Sequence, residues 1–199
     1  MNKKVVVIIA ILLILVLVLF LTYNFIKKGN TIFNKSEEDI IENILNLNSY
    51  KATMEIEIES NKNKTKYMVK QELNENKSVQ EVIEPSNIAG VVTEYDGKNL
   101  KISNNNLNLS TTFEDYTYIV DNNLWLNSFV KDYKKYSNSK STEKNNEIIL
   151  EVKNEEANKY SIYKKLYIDK NTGKPTKLIV QDINQKTLVY ILYSEIEIS

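Results

Sequence analysis

The chain has 199 residues, with 26 basic and 26 acidic side chains, and every basic one is a lysine. Without arginine it lacks the bidentate fork that nucleic-acid readers use on phosphate and guanine. It has no cysteine and no histidine. That excludes disulfides, thiol nucleophiles, thiolate metal sites and a lipid-modified cysteine, and it removes the commonest general base and transition-metal ligand.

Val5 to Ile26 carries no charge, and Lys3, Lys4, Lys27 and Lys28 flank it. As a helix the run spans about 33 Å, enough to cross the hydrocarbon of a bilayer. It is longer than the apolar core of most secretory signals and no small-residue cleavage pattern follows it. The reading is an uncleaved single-pass anchor over 1–28, with a cleaved signal peptide as the alternative. The free amino terminus tips the positive-inside balance toward a cytoplasmic N-terminus, which puts the rest of the chain outside the cytoplasm. Setting aside the four flanking lysines, that remainder holds 22 lysines against 26 acids, a net of −4, a further argument against nucleic acid.

Residues 29–35 read as a polar linker. Ser36-Glu37-Glu38-Asp39 then opens a helix, with Ser36 as cap and acids at the positive end of the dipole. Ile40, Ile41, Ile44, Leu45 and Leu47 form one apolar stripe; it packs on a sheet or, as the sharper alternative, binds a partner. From Ser49 the period drops to two. Tyr50, Ala52, Met54, Ile56 and Ile58 alternate with polar residues as far as Ser60, the signature of a half-buried strand. Strands follow over 64–74, with Tyr67, Val69 and Leu73 on one face and Met68 on the other, and over 78–84.

Pro85, Ser86 and Asn87 interrupt the chain before Val91–Tyr95 and Leu100–Ile102, which flank Asp96-Gly97. Asp-Gly between two such runs is a strong hairpin signal, because glycine tolerates the positive φ of a tight turn. A strand near 107–112 completes an antiparallel meander. Asp121 is expected to cap a helix over about 122–135, with Leu126, Phe129, Val130 and Tyr133 on one face and Trp125 beside it. Residues 137–146 read as a polar loop. Four strands close the chain: 147–153, 160–168, 176–182 and 187–198. Lys164 breaks the apolar face of the second, and Asp169 through Pro175 forms a turn rich in breakers.

Two motifs go beyond generic β-structure. Glu84-Pro85-Ser86-Asn87-Ile88-Ala89-Gly90-Val91-Val92 with Tyr95-Asp96-Gly97-Lys98 resembles the LolA-like lipoprotein-carrier superfamily. Leu166-Tyr167-Ile168-Asp169 through Gly173, Pro175, Lys177-Leu178 and Asp182 resembles a later hairpin of the same superfamily. Within it the sequence looks closest to the GerS-related proteins of spore-forming clostridia, although the lipobox cysteine of GerS is missing. The resemblance covers roughly 36–199. It implies an α+β fold: a strongly curved, incompletely closed antiparallel sheet with helices on its concave side.

Three functions follow as expectations. The first is a membrane-anchored, non-enzymatic module that supports spore-cortex processing by holding a protein partner, with a cell-wall amidase as the partner the resemblance implies. The second is a carrier of an acyl chain or lipid, its apolar lining drawn from Met54, Ile56, Met68, Val92, Ile102, Trp125 and Phe129; the competing reading is that these side chains fill the core. The third is an enzyme built on Asp96 with Glu94, or Asp169 with Asp182, although turn aspartates have a purely conformational explanation. No catalytic, cofactor-binding or metal-ligating set is expected.

Overall fold

A computed structural model describes residues 36–60, 63–75, 77–116, 123–154, 156 and 161–199. The anchor run Val5 to Ile26 and the linker lie outside them. Among the described residues no helix is long and apolar enough to cross a membrane. Lys35–Ser199 forms one compact unit.

Among the described residues the first element is helix α1 (Glu37–Leu45). Its start is fixed locally: Ser36 Oγ accepts from the Asp39 amide at 3.1 Å, and Asp39 Oδ2 accepts from the Ser36 amide at 3.1 Å. This reciprocal pair satisfies two of the amides that a helix leaves unbonded at its N-terminus. Six strands follow: β1 (Tyr50–Ser60), β2 (Asn63–Asn74), β3 (Lys77–Glu84), β4 (Val91–Tyr95), β5 (Leu100–Asn104) and β6 (Leu109–Phe113). Helix α2 (Leu126–Lys135) separates them from β7 (Lys140–Lys144), β8 (Glu147–Lys153), β9 (Tyr163–Asp169), β10 (Lys174–Gln181) and β11 (Thr187–Ile198).

Among the described residues eleven strands form one sheet in the order β6-β5-β4-β3-β2-β1-β11-β10-β9-β8-β7. Every neighbouring pair is antiparallel. Two meanders therefore meet at the centre, where β1 pairs with β11 and brings Tyr50 opposite Ile198. The curved sheet does not close, because its edges are β6 and β7.

One face of the sheet is apolar and carries helices α1 and α2. On β1, Tyr50, Ala52, Met54 and Ile56 are buried, as the alternation requires. The register aligns Met54 with Tyr193 and Val69, and Ile56 with Ile191. Ile148 and Leu150 of β8, Leu166 and Ile168 of β9 and Leu178 of β10 continue the same core. Ile40 and Ile44 of α1 and Leu126, Phe129 and Val130 of α2 pack into it. Each such side chain stabilises the fold by about 1.5–3 kcal/mol relative to exposure.

Several expectations need correction. Helix α2 begins at Leu126, with Trp125 at its N-cap and no capping side chain; Asp121 and Asn122 lie outside the described residues. Trp125 is only 4% exposed and meets Tyr50 edge-on at 6.4 Å between ring centroids, so its indole is held by the core. The supposed loop 137–146 contains β7, all five of whose residues are exposed. An edge strand wet on both faces has no apolar alternation to betray it. Strand β9 starts at Tyr163 rather than Tyr160, which is outside the described residues. The Asp96-Gly97 hairpin forms, but with a longer loop: Tyr95 pairs with Leu100, leaving Asp96–Asn99 between them. Gly97 sits at φ 91, where a side chain is strained.

Candidate functional site

The seven residues proposed to line an apolar cavity do not surround one space. Met54, Ile56, Trp125 and Phe129 belong to the packed core. Met68 pairs with Glu55, and Val92 with Glu81 and Ser103, which turns both toward the opposite face. Ile102 shares the core-side row of Thr93, but it lies beyond the cover of the helices and is 37% exposed. The cause is the two-residue period, since a neighbour in the chain is on the other side of the sheet.

Within the core, polar groups pair in two places. Tyr50 OH donates to Gln71 Oε1 at 2.8 Å, Gln71 Nε2 donates to Gln80 Oε1 at 2.7 Å, and the Leu126 amide donates to Tyr50 OH at 3.4 Å. This chain ties α2 to the β1–β2–β3 half. On the other half, Lys164 of β9 points into the core with its side chain 3% exposed. Its Nζ lies 2.6 Å from Asp132 Oδ2 and 3.1 Å from Ser128 Oγ. Ser128 and Asp132 are four apart on α2, so both side chains meet the lysine on one helix face. The break at Lys164 was visible in the sequence; its partners were not, because polar residues on an amphipathic helix read as its wet side.

The other face of the sheet is polar and exposed. Near its centre lies a groove of about 850 Å³. Lys51, Thr53, Lys70 and Glu72 form its floor on β1 and β2, with Glu81 of β3 on one side and Glu195, Glu197 and Lys174 on the other. A bulge between Thr53 and Met54 lies under it: Thr53 pairs with Glu195 and Met54 with Tyr193, leaving Ser194 unmatched. A bulge bends its strand and sharpens the local twist. Nothing in the sequence announced this groove, since it depends on registers between β11 and β1.

Neither carboxylate pair considered for catalysis converges. Glu94 lies 2.8 Å from Lys77 and 3.7 Å from Lys101, and the Lys77 hydrogen bond foremost holds its carboxyl below the usual range. Asp96 Oδ1 accepts from the amides of Asn99 and Lys98 at 2.6 and 2.9 Å. Those bonds, the Asn99 amide first, lower its pKa. Asp169 Oδ1 accepts from the Thr172 amide at 2.8 Å, while Asp182 Oδ1 accepts from the amides of Asn184 and Lys186, each at 2.9 Å. These two aspartates brace turns at opposite ends of β10. No group of three or more acidic residues suited to a metal ion occurs among the described residues.

The class this geometry defines is an open, curved antiparallel sheet with helices α1 and α2 packed on one face. Residues 3–199 match the family described as "Sporulation protein YdcC-like", and the chain belongs to it. No match occurs among curated proteins. Of solved structures, the complex of the CwlD amidase with the GerS lipoprotein from Clostridioides difficile is similar at 22% identity and TM-score 0.52. The match covers 82% of this chain and 96% of that chain. An uncharacterized conserved protein from Thermus thermophilus is similar at 12% identity and TM-score 0.52, over 83% of this chain and 88% of that chain. A LolA superfamily protein from Nitrosomonas europaea matches at 10% identity and TM-score 0.39, over 81% of this chain and 93% of that chain.

Proposed function

We propose that this protein is a membrane-anchored, non-enzymatic binding module, related to GerS, that supports spore-cortex or cell-wall processing by holding a protein partner. The observation that carries the reading is the match to a sporulation family over residues 3–199. The likeness to a complex of an amidase with a lipoprotein supports a protein partner, and a cell-wall amidase is the first candidate. The chemistry of the chain agrees: it has no histidine or cysteine, and its turn aspartates are engaged in bracing backbone.

In this reading the Val5 to Ile26 run is a single-pass anchor with its N-terminus in the cytoplasm, residues 29–35 are a linker, and the 36–199 domain stands on the extracytoplasmic side with its helices on the concave face of the sheet. Affinity capture with the full-length protein from sporulating cells tests the central claim. It should recover a wall-modifying enzyme; recovery of none would sink it. External protease should cleave the domain in cells stripped of their wall, and protection would reverse the orientation. The lipid-carrier alternative has less to support it, because Met54, Ile56 and Phe129 are almost wholly buried against their neighbours.

A further inference from the structure

The face of the sheet turned away from the helices carries many ion pairs, and the groove holds several charges outside them. Outside the groove, Glu57 lies 2.7 Å from Lys64, Glu55 2.8 Å from Lys66, Glu59 2.8 Å from Lys186 and Glu151 2.8 Å from Lys165. Inside it, Lys51 and Glu72 pair at 3.2 Å. Lys70, Lys174, Glu81, Glu195 and Glu197 make no ion pair among the described residues. Lys70 fails to reach Glu81 although the two are cross-strand neighbours. Charges of both signs thus stand unneutralised around one depression, on a face where many of their kind pair.

We propose that this groove docks an extended, mixed-charge segment of a protein partner, with cationic side chains against Glu195 and Glu197 and a carboxylate against Lys70. The inference rests on the partner-binding reading above and gives that partner a place and a chemistry. The size fits: from β3 to β10 the groove crosses five strands, about 19 Å at the usual strand spacing, the reach of about six extended residues. The sign pattern selects, since a segment of one charge alone meets repulsion at one end. A single phosphate or headgroup would engage only part of it.

The test uses the full-length chain in dodecyl maltoside micelles and a fluorescein-labelled peptide of sequence Gly-Lys-Gly-Glu-Gly-Lys-Gly, followed by anisotropy. Counterparts carrying only lysine or only glutamate serve as comparisons. The mixed peptide should bind more tightly than either and weaken with salt. E195Q/E197Q should weaken it about fivefold, as expected for two exposed ion pairs, with an unchanged circular-dichroism spectrum and melting. E55Q/E57Q, outside the groove, should leave it unchanged. No binding, equal binding of the single-sign peptides, or indifference to E195Q/E197Q would overturn the proposal. A partner captured equally by wild type and E195Q/E197Q would refute the groove and spare the partner-binding reading. Capture of none by wild type would refute that reading, while the peptide still decides the groove.

Discussion

Tyr50 and Tyr193 bring two phenols into an apolar interior. Burial pushes the Tyr50 hydroxyl well up, the nearby Tyr193 adds repulsion, and the hydrogen bond from the Leu126 amide pulls partly back. Burial raises Tyr193 as well, and its hydroxyl has no hydrogen-bond partner among the described residues. Since the folded pKa values exceed the unfolded ones, the stability these groups contribute is complete below about pH 10 and is lost as pH rises above it. Tyr193→Phe should therefore raise the midpoint of alkaline unfolding, followed by phenolate absorbance and circular dichroism together. An unchanged midpoint would show that Tyr193 ionises without unfolding the chain. At this scale the sequence was a partial guide. It marked Met54 and Ile56 as inward-facing, but left Met68 and Val92 grouped with them, because only strand registers assign side chains from different strands to a common face.

Among the elements, α2 shows most clearly what local pattern reveals and hides. Its apolar face was legible at Leu126, Phe129 and Val130 from their spacing. Its buried polar contact was not, because Ser128 and Asp132 find Lys164 across thirty or so residues of chain. That contact fastens α2 to β9, and the Tyr50 and Gln71 hydrogen bonds fasten the segment just before it to the opposite half of the sheet. Lys164→Met leaves Asp132 buried without its cation. It should destabilise the domain by about 3–5 kcal/mol in urea unfolding, whereas a K164M/D132L double variant should recover much of that loss. A double variant no more stable than K164M would show that packing, and not the stranded charge, sets the cost. Strand β7 was missed for the reverse reason: with every side chain in water, no apolar alternation marks its pairing with β8.

For the whole molecule, the decisive contact joins the two ends of the domain. Strand β11 lies between β1 and β10, so within the sheet it joins the meander β1–β6 to the strands β7–β10. Deleting residues 187–199 would leave Met54, Ile56 and Leu178 without their strand neighbours Tyr193 and Ile191. The truncated chain should show no cooperative thermal transition; a sharp melt would mean that the halves fold independently. Pairing across so long a separation carries a large loop-closure cost before any contact repays it.

The sequence by itself determined what depends on near neighbours. It specified the Ser36 cap, the two-residue alternation of β1, the Asp96 and Asp169 turns and the poverty of catalytic side chains, because each follows from residues within a few positions of one another. Only the tertiary structure decided which strands stand side by side, that Lys164 meets Asp132, and that charged side chains without ion-pair partners line one groove on the exposed face. Those outcomes depend on registers between distant segments, and a register is fixed by the packing of the whole sheet rather than by any stretch of chain read alone.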